Sequence, residues 1–286
     1  MTAAFRIIPR LDIKGPNLVK GMHLEGLRVL GKPEDFAKFY YENGADELIY
    51  QDVVASLYGR NSLHEVISKT AEKIFIPLTV GGGIKTVEDI SNILRSGADK
   101  VCINTAAIKD PSLISKAAKV FGVSTIVIGI EAILQENGEY IAFVDNGRNS
   151  TDKNAVSWAK EAQDLGAGEL LITCVDKEGT GKGYDSSLLK QVLQEVSIPV
   201  VVHGGIGKKE DVLEMRKESE FSGVAISSIL HYDFIKHQRN LEGYEDEGNT
   251  EFLKSYRSMG NLKTSSIKDI KALLSSNGVI SRPVNE

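Results

Sequence analysis

The sequence is poor in several features that would fix its class at once. Cysteine is nearly absent. Cys102 and Cys174 are the only two, which excludes a disulfide-stapled scaffold and reads as buried, reduced thiols. Positive charge is not in excess: the net charge is −5, so no general basic field attracts nucleic acid. No apolar run approaches the length of a membrane span, and the opening MTAAFRIIPRLD lacks the long apolar core of a signal peptide. These absences predict a cytoplasmic protein that binds neither nucleic acid nor membrane. The five histidines, His23, His64, His203, His231 and His237, share no ligand spacing, so no metal is predicted, and no other cofactor is expected.

What is present is a repeat. PLTVGGGIKTVEDI begins at Pro77 and PVVVHGGIGKKEDV at Pro199, 122 residues apart. Val80, Gly82, Gly83, Ile84, Glu88 and Asp89 recur as Val202, Gly204, Gly205, Ile206, Glu210 and Asp211. GADELIYQDV at 44–53 matches GAGELLITCV at 166–175 with the same offset, and ADKVCINT at 98–105 is echoed by FSGVAISS at 221–228. This period is too long for a solenoid. It marks a duplicated half-domain whose halves each end a strand in glycines, where backbone N–H groups hold an anion. Two such sites suit a substrate with a phosphate at each end.

Strand-like runs at 6–12, 47–53, 74–80, 100–104, 125–131, 169–175, 199–203 and 223–227 are rich in Ile, Val and Leu, as strands buried on both faces are. Helical patterns lie between them, at 33–43, 63–73, 87–96, 111–121, 155–165, 187–196 and 210–218, with a last one at 266–275. Eight such units predict a (β/α)₈ TIM barrel with catalytic loops at the C-terminal strand ends. The expected organisation is a single domain, 1–286, with half-barrels of about 1–122 and 123–286. The glycine-rich segment 13–32 reads as a long loop able to act as a mobile lid. Segment 231–265, acidic and aromatic, far exceeds the usual βα connection of about 2–6 residues. It reads as an excursion, either along the surface or over the catalytic face.

Three carboxylates fall at C-terminal strand ends: Asp12, Glu131 and Glu178. Asp12 and Glu131 occupy equivalent places in the halves, IIPRLDIK against IVIGIEAI, on strands that a barrel sets opposite each other. Facing carboxylates are equipment for general acid–base work. Lys20 is either a mobile cation over the site or ordinary solvated charge. At the other strand ends stand Arg6, Glu47, Lys100 and Glu169, two cations and two anions able to satisfy one another as a structural cluster.

PRLDIKGPNLVKG, TVGGGI, GADKVCINTAA, GAGELLIT and DKEGTGKGYD resemble HisF, the cyclase subunit of imidazole glycerol phosphate synthase, over residues 6–230. The resemblance implies a barrel that receives ammonia from a HisH-like glutaminase docked at its N-terminal face and passes it to a bisphosphorylated substrate at the top. It implies that Arg6, Glu47, Lys100 and Glu169 form the ammonia gate, with Asp99 beside it facing the glutaminase. Gly82, Gly83, Asn104, Thr173, Gly204, Gly205, Ser227 and Ser228 then bind substrate and its phosphates, with Lys20 helping to hold it.

There are departures. The family's acid and base are both aspartates, whereas Asp12 is paired here with Glu131, and Glu178 replaces a further aspartate. Arg10 stands where the cyclase has a small cysteine, and His203 replaces a small residue. Side chains one methylene longer imply a different substrate contour. The departures point first to a HisF-like paralogue that supplies ammonia for acetamidino-sugar synthesis in surface glycans, with a sugar amidotransferase as further partner. The alternative is the genuine histidine-pathway cyclase. A third reading is a non-catalytic ammonia conduit and scaffold.

Overall fold

Alternate residues of the first strand serve opposite faces. Ile7, Leu11 and Ile13 join the large core beneath the helices. Arg6, Ile8, Arg10 and Asp12 fall on the other face, inside a closed barrel. The computed structural model describes residues 4–55, 63–237 and 262–284. Among these, twelve strands form: β1 (Arg6–Lys14), β2 (Asn17–Met22), β3 (Glu25–Gly31), β4 (Leu48–Asp52), β5 (Leu78–Gly81), β6 (Lys100–Ile103), β7 (Ile126–Leu134), β8 (Tyr140–Val144), β9 (Asn149–Asn154), β10 (Glu169–Cys174), β11 (Val200–His203) and β12 (Gly223–Ile226). β1, β4, β5, β6, β7, β10, β11 and β12 run parallel in that order, and β12 pairs back onto β1 to close the ring. This is the (β/α)₈ barrel that the alternating pattern predicts.

The acidic helix starts of the repeat act as caps. Asp89 N–H donates to Thr86 Oγ1 at 3.1 Å while Asp89 Oδ2 accepts from Thr86 N–H at 2.9 Å, a capping box worth about 1 kcal/mol. Its counterpart Asp211 accepts from the N–H groups of Gly207 (2.8 Å) and Lys208 (3.1 Å).

Four segments differ from expectation. Residues 13–32 are not an open loop: β2 and β3 form an antiparallel hairpin continuing β1, turning at His23 and Leu24 with φ of 50° and 62°. β-Branched and apolar residues in NLVKGM and LRVLG favour pairing over the looseness that the glycines suggest. A matching hairpin, β8–β9, continues β7, so the two extensions repeat the half-barrel symmetry. The third barrel strand starts at Leu78 rather than 74, because Pro77 lacks an N–H for the ladder and Phe75 projects outward, 81% exposed. The expected excursion begins as helix: Ser228–His237 is helical. Residues 238–261 of it lie outside the described residues. It returns across the C-terminal strand ends, where Lys263 N–H donates to Gly207 O at 2.7 Å and Lys236 Nζ to Thr264 Oγ1 at 2.9 Å.

Inside the barrel the side chains stack in levels, as TIM-barrel interiors do. The charged residues occupy the N-terminal mouth. An apolar layer of Ile8, Ile49, Cys102, Val127, Leu171, Val201 and Ala225 lies above. The polar residues of the C-terminal face come next.

Candidate active site and charged ring

The expected glycines stand at strand ends in conformations that demand glycine. Gly82 and Gly204 have φ of +102° and +101°. A Cβ on either would drive into the carbonyl ending the neighbouring strand, of Asp52 or of Cys174. Gly82, Gly83, Asn104 and Thr105 line a cavity of about 390 Å³ whose wall also includes Arg10, Glu131 and Thr173. Gly205 packs against Gly183, whose N–H it accepts at 2.8 Å. Ser228 opens the Ser228–His237 helix, and Ser227 Oγ donates to Arg10 O at 2.9 Å.

Glu131 and Asp12 have different surroundings. Glu131 accepts a hydrogen bond from Gly147 N–H at 2.7 Å. Burial pushes its pKa up to about 7, against the pull of Arg10, Gly147 and Asn104. Asp12, 2% exposed, accepts from Arg10 Nε at 2.9 Å and lies 4.0 Å from Lys20 Nζ. Arg10 reaches onward, donating through Nη1 to Thr173 Oγ1 at 3.2 Å and to His203 Nδ1 at 3.0 Å. Burial, with the Arg10 and Lys20 charges, holds His203 well below the usual imidazole range. A guanidinium only donates, so Nδ1 is the acceptor and the ring proton sits on Nε2, 3.4 Å from Ser227 Oγ.

Lys20 is not solvated charge: it is 3% exposed and ion-paired with Glu178. Glu178, 1% exposed, also accepts from Leu24 N–H at 3.0 Å, and its carbonyl accepts from His23 N–H at 3.0 Å. The pair fastens the β2–β3 hairpin to the end of β10. Asn146 adds a second fastening that sequence reasoning missed, donating from Nδ2 to Leu24 O at 3.1 Å. The signal was available: Asn146-Gly147 is a turn-forming pair in the loop 145–148 between β8 and β9, and Asp145 and Asn146 have φ of 55° and 62°.

At the opposite mouth the four expected residues meet. Arg6 bonds Glu47 at 2.7 Å and also pairs with Glu169, while Lys100 reaches Glu47 and Glu169 at 3.0 Å each. Each carboxylate is shared by both cations in a closed ring. Asp99, exposed beside it, accepts from Leu78 N–H at 2.8 Å. Cys102 and Cys174 are free and buried. No helix of the described residues is long and apolar enough to cross a membrane.

Known proteins resemble this chain in sequence. The family model for histidine biosynthesis proteins matches residues 6–236. The chain is 57% identical over 206 residues to "Imidazole glycerol phosphate synthase subunit HisF" of Legionella pneumophila, covering 72% of this chain and 97% of that protein. It is 43% identical over 250 residues to the subunit of the same name from Methanopyrus kandleri, covering 81% and 92%. The Bacillus cereus protein of that name is 44% identical over 229 residues, covering 80% and 91%. With its barrel, its paired half-barrel glycines and these relatives, the chain belongs to the HisF family of histidine biosynthesis proteins.

Proposed function

We propose that this chain is the cyclase subunit of an imidazole glycerol phosphate synthase, the reading that the sequence departures ranked second. The relatives carry that enzyme's name, and none of the names given above refers to glycan amidation. The observation that carries the proposal is the alignment of two sites through one barrel: a charged ring at one mouth and a cavity lined by Glu131 at the other. On this reading a HisH glutaminase docks at the N-terminal face, near Asp99. Phe75, Val123 and Ile280 are exposed beside the N-terminal ends of β5, β7 and β1 and offer apolar area for that contact. Ammonia then passes the ring of Arg6, Glu47, Lys100 and Glu169.

The substrate lies between the two glycine pairs, its phosphates against Gly82–Gly83 and Gly204–Gly205. Asn104, Thr173, Ser227 and Ser228 hold it. Asp12 and Glu131 flank the reacting atoms. Asp12, hydrogen-bonded to a guanidinium, serves as a fixed carboxylate. A group with a pKa near neutrality both takes and returns a proton easily, so Glu131 is suited to removing a proton from the incoming nitrogen and delivering one to a leaving group. Lys20 and Glu178 hold the hairpin over the site.

The glycan-amidation paralogue is the second reading, favoured by the buried Arg10–His203 pair in place of the small residues of the cyclase. One assay separates the two. The purified chain, given ammonium and the bisphosphorylated cyclase substrate, should consume it and form imidazole glycerol phosphate, and the gene should rescue a histidine auxotroph lacking this subunit. Failure of both, in a folded chain, would transfer preference to the paralogue.

A further inference from the structure

The upper barrel interior is filled unequally. On the side of β10, β11, β12 and β1, the inward residues Thr173, His203, Ser227 and Arg10 bond one another, with Arg10 reaching across to Thr173 at 3.2 Å and His203 at 3.0 Å. All four are buried. Opening this plug would leave buried polar groups unpaired. On the side of β6 and β7 the inward positions are small. Gly129 carries no side chain, and a Cβ there would lie 3.0 Å from Cys102 Sγ. The cavity of about 390 Å³ descends on this side to Cys102 and Gly129, with Leu171 of β10 at its edge, and Cys102 and Leu171 belong to the apolar layer above the charged ring.

From this asymmetry we infer that ammonia leaves the barrel off its axis, through an outlet walled by Cys102 and Gly129, because the Arg10–His203 plug closes the other side. The inference rests on the ammonia-conducting reading proposed above. The wall suits the cargo. Burial pushes the Cys102 thiol up to about 12, so it stays neutral and forms only weak hydrogen bonds to a passing ammonia. The destination suits it too. Glu131 follows Gly129 by two residues on the same inward face of β7, roughly 7 Å further along at strand rise. Nitrogen emerging at Gly129 therefore arrives beside the carboxyl group suited to take its proton, whereas an axial outlet would open under the Arg10 guanidinium.

The test uses the full chain in complex with a HisH glutaminase and compares glutamine-driven with ammonium-driven turnover of the cyclase substrate. Cys102→Met fills the outlet, and Ala225→Val adds bulk to the same apolar layer on the plugged side. The expected result is a glutamine-to-ammonium ratio lowered about tenfold in Cys102→Met and kept at the wild-type value in Ala225→Val. Gly129→Ala should lower the ratio in the same direction, and it decides the matter if Cys102→Met does not fold by its melting curve. A wild-type ratio in the outlet variants, or an equal fall in Ala225→Val, would overturn the outlet while leaving the parent reading intact. Absence of any turnover by the wild-type complex on either nitrogen source would overturn both.

Discussion

At the N-terminal mouth two cations and two carboxylates are bonded into a ring in which each group has two partners of opposite sign. At the C-terminal mouth Arg10, Asp12, Lys20 and Glu178 are linked in a similar chain. Glu131 stands apart from that chain, held by a backbone N–H. The two mouths therefore use charge differently. A closed ring resists change because each group depends on its neighbours, and removing one strands the others. A buried carboxylate with no cation bonded to it shifts towards neutrality and becomes a group that can exchange protons near pH 7. On the reading proposed above, the closed ring serves as framework or gate, while the mouth that keeps an incompletely paired carboxylate beside the paired Asp12 performs the chemistry.

The largest effect that would break this comparison lies at the working mouth. Asp12→Asn should lower ammonium-driven turnover by about 100-fold or more while the fold persists. A variant with unchanged circular dichroism and near-wild-type kcat would remove Asp12 from the chemistry. At the ring, Glu47→Gln leaves Arg6 and Lys100 sharing one carboxylate. The groups are partly exposed, so the cost should be about 2 kcal/mol, less than for a fully buried pair, read as a lower Tm.

Glu131 sharpens the contrast through pH. Its folded-state pKa of about 7 lies above the ordinary 4.5. Between those values the folded chain holds a proton that the unfolded chain has released. Its contribution to stability is thus fully present below about pH 4.5 and declines as pH rises through 7. Glu131→Gln removes the titration and should raise stability relative to wild type at pH 8 by roughly 1–2 kcal/mol. Parallel stability–pH curves for the two proteins would show that Glu131 is not perturbed. The smallest effect is expected at the hairpin. Asn146→Ala loses one neutral hydrogen bond to Leu24 O, about 1 kcal/mol, and should speed hydrogen exchange in β2 and β3 without changing exchange in β10.

The barrel was legible because its strands are short continuous apolar runs and its helices open on acidic caps such as Asp89 and Asp211. Both signals are local. The β2–β3 hairpin was hidden because glycines at 15, 21 and 26 mask the pairing tendency of their neighbours. The helix Ser228–His237 was hidden for another reason. Seven of its ten residues are buried, so it lacks the apolar stripe by which a surface helix is recognised. In the site, Asp12 and Glu131 could be nominated from strand-end position alone. The burial of Lys20 against Glu178, 158 residues away, and the reach of Arg10 to His203 depend on tertiary packing that no local pattern encodes. The ring is intermediate: its four members stand at or just before strand starts and were readable, but the sharing of each carboxylate by both cations is a product of barrel closure.

The most direct test of the whole account joins the two mouths in one measurement. Lys100→Met removes a ring member far from Glu131, and its glutamine-driven and ammonium-driven turnover can be measured side by side with its melting curve. If the ring governs what enters the barrel while the chemistry belongs to the other mouth, glutamine-driven turnover should change several-fold more than ammonium-driven turnover. Equal loss in both, tracking a lower Tm, would contradict the account and leave the ring as structural support alone.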